Sequence, residues 1–240
     1  MCDLIITDAA VLFPDGIVRS AQTIEINEGK ICSVRPYRET DLETAAKERI
    51  SGTGKLVMPG LADCHMHTGQ QLLKGKVLDA LPMIWTRIML PFESTLTEEK
   101  MELSASLAAL EMIKSGTTAF VDAGSYHMEA AAEVYVRSGL RGLISASTMD
   151  EKGLPDSIAH DAEEAVAQTD RLYDGYNGKG NLKVAYSLRS LISCSDELNL
   201  KAARRAKERG AKLQAHMNEY AGEVNYFLTN KKVRPFEYLD

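Results

Sequence analysis

The sequence predicts an α/β fold in which a small all-β lead-in is followed by parallel strands alternating with helices. Three observations carry that expectation. Residues 3 to 35 are short apolar runs separated by turn signals, which is strand-and-turn chemistry. From residue 57 onward the chain repeats one theme, an apolar run followed by a helix-like segment, and such alternation implies parallel strands with right-handed crossovers. Two of those runs end on histidines, at His65-Met66-His67 and at His216. The mouth of a parallel-strand barrel is where such residues gather.

In order, the lead-in runs are Leu4-Ile5-Ile6, Val11-Leu12-Phe13, Thr23-Ile24-Glu25-Ile26 and Ile31-Cys32-Ser33-Val34, with turns at Pro14-Asp15-Gly16 and Asn27-Glu28-Gly29-Lys30. Residues 37 to 49 are charged without an apolar face and read as a solvated connection. Ile50 to Met58 returns to strand chemistry, and the run at residue 57 counts as the first of five parallel strands. After the histidine pair comes an excursion of some thirty residues, through Gln70-Gln71-Leu72-Leu73-Lys74-Gly75, Leu81-Pro82-Met83-Ile84-Trp85 and Pro91-Phe92-Glu93. That is too long for a structureless loop, so a lid with a short helix of its own is expected. Thr97 caps a helix that ends at Ser115-Gly116. The remaining strands are expected at Thr117 to Val121, Leu140 to Ala146, Leu182 to Ser187 and Ala211 to Ala215. Helices are expected near 128–138, 157–174, 196–209 and 219–229. Asn177-Gly178-Lys179-Gly180-Asn181 lacks the spacing of a phosphate loop and reads as a turn.

Composition narrows the function. The chain has 240 residues, 45% apolar and 26% charged, with a net charge of −6. No run approaches the roughly 20 apolar residues that span a bilayer, and no basic cluster invites nucleic acid. A small-molecule ligand is expected. The N-terminus, Met1-Cys2-Asp3-Leu4-Ile5-Ile6, has no signal-peptide pattern, so the cytoplasm is the expected compartment. Cys2, Cys32, Cys64 and Cys194 have no zinc-knuckle spacing and are expected as buried free thiols.

Two histidines two positions apart on a strand point to one face, and Asp63 and Gly69 flank the pair. Alone, such a pair more often makes ordinary hydrogen bonds. His216, at another strand end, is followed by Glu219, and an acidic residue there is often just a helix-start carboxylate. Together they favour a metal: His65, His67 and His216 converging suit one divalent ion, zinc first and iron second. His127 and His160 sit in no motif and are assigned structural or surface roles.

The pattern Pro59-Gly-Leu-Ala-Asp-Cys-His65-Met-His67 resembles the signature of the amidohydrolase superfamily. Ala215-His-Met-Asn-Glu219, Glu223-Val224 and Arg234-Pro235-Phe-Glu-Tyr-Leu239 are similar to the fifth-strand segment of its members that include S-adenosylhomocysteine/methylthioadenosine deaminase, guanine deaminase and the triazine hydrolases. Leu72 to Gly75, Trp85, Pro91, Ser115 to Thr118 and Cys194-Ser195 also fall where that group has matching residues. The resemblance implies a metal-dependent hydrolase on a distorted (β/α)8 barrel preceded by part of a β-sandwich. The corresponding domains are a partial sandwich over 1–56 and an incomplete barrel over 57–240. It implies that His65, His67 and His216 bind the metal, that Glu219 is catalytic, and that Gln70, Arg189 and Trp85 face the substrate. Arg189 stands where the adenosine-type deaminases usually have a histidine, and with Gln70 it resembles the guanine-deaminase arrangement. A pairing of Arg189 with an acidic lid residue is the equal alternative. The implied activity is hydrolysis of a C–N bond, by deamination, on a nitrogen heterocycle such as a purine. Five strands fall short of the eight that a barrel closes in typically about 250 residues, so the rival expectation is an inactive fragment or one half of a split enzyme. The expected partner is accordingly another copy or a complementary C-terminal chain.

Overall fold

The computed structural model describes residues 2–77 and 84–239, so Leu81-Pro82-Met83 of the expected lid lies outside the described residues. The chain forms two compact units, Met1–Gly60 and Leu61–Asp240.

The first unit is one mixed sheet of β1 (Cys2–Leu12), β2 (Val18–Asn27), β3 (Lys30–Pro36), β4 (Ala46–Ser51) and β5 (Leu56–Val57). The strand order is β3-β2-β1-β4, and β5 also pairs with β1. β1 to β3 run antiparallel, whereas β4 and β5 lie parallel to β1. Alternate residues of β1 turn to one face, where Ile5, Ala9 and Val11 are buried along with Ile24 of β2. The charged connection is more structured than its composition implies. A short 3₁₀ turn at Glu39–Glu43 buries Asp41, which accepts hydrogen bonds from Thr23 Oγ1 at 2.8 Å, Arg35 Nη1 at 2.8 Å and Arg38 N at 2.9 Å. Three donors, one of them a guanidinium, satisfy the carboxylate, so it tolerates burial. Leu56–Val57 belongs to this sheet, not to the strand that carries the histidines. The boundary expected at 56/57 therefore falls between Gly60 and Leu61. Pro59-Gly60 separates the two strands, since proline cannot donate to a ladder.

The second unit opens with β6 (Leu61–Met66), followed by a 3₁₀ turn at Thr68–Leu73. A π-helical turn at Trp85–Met89 runs into α1 (Leu90–Glu93) and supplies the short helix expected in the excursion. Next come α2 (Glu98–Ser115), β7 (Thr117–Asp122), α3 (Met128–Ser138), β8 (Arg141–Ile144), α4 (Ala162–Tyr176), β9 (Leu182–Val184), β10 (Tyr186–Leu188), α5 (Asp196–Glu208), β11 (Leu213–Ala215), α6 (Ala221–Asn230) and α7 (Pro235–Tyr238). β6-β7-β8-β9 pair in parallel, as do β10 and β11. Ala185, between β9 and β10, donates its N–H to Ile144 O at 2.9 Å and links the two ladders.

Local chemistry explains the helix ends. Thr97 Oγ1 accepts from Lys100 N, Asp161 Oδ1 from Glu164 N and Ser195 Oγ from Leu198 N, each satisfying a first-turn N–H. Gly116 closes α2 at φ 81°, a left-handed backbone in which glycine has no Cβ to clash. Small residues, Ala105, Ala108 and Ala109 of α2 with Ala131 and Ala132 of α3, let these helices approach the sheet closely, and Tyr135 packs its ring on Phe120 of β7 at 4.4 Å between centroids. All four cysteines are free, but only Cys194 is buried. Cys32 and Cys64 are exposed, contrary to expectation, because their strands present that face outward.

Candidate active site

The residues that follow β6, β10 and β11 meet at one end of the strands. His65 and His67 extend from β6 and His216 from β11, with ring centroids 5.0 to 5.2 Å apart. One ring nitrogen from each lies within 4.8 Å of the others. Their orientation decides what they can do. His67 Nδ1 lies 2.9 Å from the Gly124 carbonyl oxygen, which only accepts, so Nδ1 carries the proton and Nε2 is bare. That bare nitrogen faces His216 Nε2 at 3.2 Å. Two nitrogens bound to one tetrahedral ion at about 2.0–2.1 Å each are separated by about 3.4 Å. His216 Nδ1 is buried without a hydrogen-bond partner among the described residues. Burial, and next the Arg189 guanidinium, push His67 down to about 2 and His216 down to about 4, so both rings are neutral. Neutral, converging imidazoles are the donor set a divalent ion requires.

A cavity of about 210 Å³ beside this cluster is lined by His65, His67, Gln70, Trp85, Met89, Arg189, Ser190, His216 and Glu219. All seven site residues expected from the sequence thus border one space. Glu219 is exposed to it, and its backbone N–H donates to Glu223 Oε2 at 2.8 Å. The Trp85 indole N–H is buried and has no partner among the described residues.

Arg189 does have an acidic partner on the lid side. Its Nη2 donates to Glu93 Oε1 at 2.8 Å, and both side chains are only 3% exposed. Gln70 Nε2 donates to the same oxygen at 2.6 Å. The other guanidinium nitrogen, Nη1, donates to Gly124 O at 2.8 Å, the oxygen that also accepts from His67. Nη1 lies 3.2 Å from His67 Nδ1 as well, but both are donors and the carbonyl is their common acceptor. Sequence reasoning placed Glu93 in the lid without a role. It missed Gly124 altogether, because a backbone oxygen leaves no side-chain signature. Gly124 adopts φ +113°, and a Cβ there would meet Ala146 O at 3.2 Å and Ser147 Cα at 3.3 Å, so glycine is what lets the carbonyl point at the site. His127 and His160 border a separate cavity of about 450 Å³, where His127 Nε2 contacts Leu96 O and His160 Nε2 contacts Gln168 Nε2.

Because the Arg189–Glu93 pair is buried, Arg189→Ala strands a carboxylate away from water. The expected loss of stability is about 3–5 kcal/mol, read from the urea unfolding midpoint. An unchanged midpoint would show that the pair carries no such weight.

Comparison with known proteins gives a consistent picture. The sequence model of the Amidohydrolase family matches residues 56–238. A 5'-deoxyadenosine deaminase of Methanopyrus kandleri is 32% identical over 241 residues, covering 99% of this chain and 54% of that protein. Among solved structures, an adenosine deaminase from Xanthomonas campestris with bound zinc superposes with a TM-score of 0.90 at 26% identity, over 100% of this chain and 54% of the other. A guanine deaminase from C. acetobutylicum with bound guanine shares the fold at a TM-score of 0.84 and 21% identity, over 95% of this chain and 56% of the other. The chain spans about half the length of the curated relatives it matches.

Proposed function

The chain belongs to the amidohydrolase family, and from that premise we propose that its histidine cluster and Glu219 form the metal and proton-transfer part of a deaminase centre acting on a purine-like heterocycle. The observation that carries this reading is the pair of imidazole nitrogens at 3.2 Å, one of them held bare by Gly124, beside a cavity that also holds a carboxylate. In the same reading, β6, β7, β8, the joined β9 and β10, and β11 are the first five strands of a (β/α)8 barrel, and the first sheet is part of a β-sandwich.

His65, His67 and His216 would hold the ion, zinc by the chemistry of three converging imidazoles, with iron(II) second. A bound ion would supply Lewis acidity, lowering the pKa of a water towards neutrality. The remaining work falls to this chain's side chains. Glu219 takes the proton from the attacking water and delivers it to the departing nitrogen, so that C–N cleavage releases ammonia and not an amide anion. Gln70 and Arg189, both anchored on Glu93, present fixed donors at the cavity wall, suited to carbonyl and ring-nitrogen acceptors of a heterocycle. Trp85 gives the space an aromatic wall. The four free thiols suit a reducing compartment, the cytoplasm.

Metal analysis tests the reading. The purified chain should carry up to one zinc or iron per molecule, and His65→Ala should abolish it. A mutant with unchanged metal content would overturn the assignment.

A further inference from the structure

Building on that reading, we infer that Asp122, which touches neither the three histidines nor the cavity, is a positioning residue for the metal ligand His67. Asp122 closes β7, is 0% exposed and faces no cation within hydrogen-bond reach among the described residues. Its carboxylate is satisfied instead by donors from the two segments that fix His67. Oδ2 accepts from Thr68 N at 2.8 Å and from Thr68 Oγ1 at 2.5 Å. Oδ1 accepts from Gly124 N at 2.8 Å, and Ser125 Oγ lies 3.4 Å from both oxygens.

His67 is therefore located twice by one carboxylate. Along the backbone, the residue after it is tied to Asp122, and the residue before it, Met66, accepts from Ala123 N at 2.9 Å. At the ring, the Gly124 carbonyl that holds Nδ1–H belongs to the peptide turn whose own N–H Asp122 holds. Tyr135 OH, 2.7 Å from Thr68 Oγ1, and Ser104 Oγ, which donates to Thr68 O at 2.6 Å, complete the clamp. An acceptor-only group is needed at its centre, because every neighbour in reach presents a hydrogen. Asparagine there would aim an NH₂ at one of those donors and loosen either Thr68 or Gly124. Groups that orient a ligating histidine from behind typically set metal affinity within about 10- to 100-fold.

The test is cobalt(II) binding to the metal-free chain, followed by calorimetric titration in wild type, Asp122→Asn and Asp41→Asn, with the apo melting midpoint measured in parallel. Asp41 is a buried carboxylate of the first unit and controls for general loss of stability. Asp122→Asn should bind cobalt about tenfold or more weakly, while Asp41→Asn should bind as wild type does. Equal affinity of wild type and Asp122→Asn, or an equal loss in Asp41→Asn, overturns the inference. Should Asp122→Asn fail to fold, Thr68→Val, which removes one of the carboxylate's donors, is read in its place with an expected loss of about threefold or more. Wild-type affinity in that variant overturns the inference. A wild-type chain that binds no cobalt overturns the metal-site reading itself, an outcome distinct from a wild-type chain that binds and is matched by its variants.

Discussion

Residues 1 to 240 alone are expected to show no deaminase activity and to run as oligomers or aggregates on a sizing column. Co-expression with a polypeptide corresponding to the other half of the relatives is expected to restore hydrolysis. The argument is geometric. The parallel strands run from β6 to β11, and among the described residues each of these two pairs on one side only. Barrel strands are normally buried on both faces, yet Leu61 of β6 is 51% exposed and Leu213 of β11 is 38% exposed. Unpaired edges carrying apolar side chains seek another chain. On the proposed barrel reading, five strands cannot close a cylinder that takes eight. Monomeric, monodisperse and fully active protein would refute this and show that five strands suffice.

In that reconstituted enzyme, Glu219→Gln is expected to lower kcat by about 10²- to 10⁴-fold, the usual worth of a positioned general acid–base, with metal content unchanged. Glutamine keeps the shape of the side chain and its contact with the cavity but cannot carry a proton from water to the leaving nitrogen. The distinction from a metal ligand is in the paired measurement, since loss of activity together with loss of metal would move Glu219 into the ligand set. A kcat within a few-fold of wild type would remove it from the chemistry.

The parts of this site that the sequence displayed were those coded locally. Two histidines at strand spacing, and a histidine three residues before a glutamate, can be read within a few positions, and the alternation of runs and helices placed them at one end of the fold. What stayed hidden was coded at long range. Glu93 meets Arg189 across 96 positions, and Pro91-Phe92-Glu93 looks like any polar loop until the chain is folded. Gly124 acts through its carbonyl, and Asp122 reads as the last residue of a strand because its donors, two backbone N–H groups and two hydroxyls, come from other segments or from the turn just after it. The start of the histidine strand was misplaced by a few residues because Leu56-Val57 and Leu61-Ala62 are equally strand-like. Only pairing partners tell them apart. The exposure of Cys64 likewise depends on which face β6 turns outward, a property of topology and not of the residue.

On the proposed reading, one oxygen atom would couple two occupancies. Gly124 O accepts from His67 and from Arg189 at once, so a ligand that draws the guanidinium away leaves the carbonyl to the imidazole alone and strengthens its hold. Reciprocity then applies: if such a ligand raises affinity for the ion by some factor, the ion raises affinity for the ligand by the same factor. Substrate analogues should accordingly slow removal of the metal by chelators, and enzyme depleted of metal should bind those analogues more weakly even where they never touch the ion.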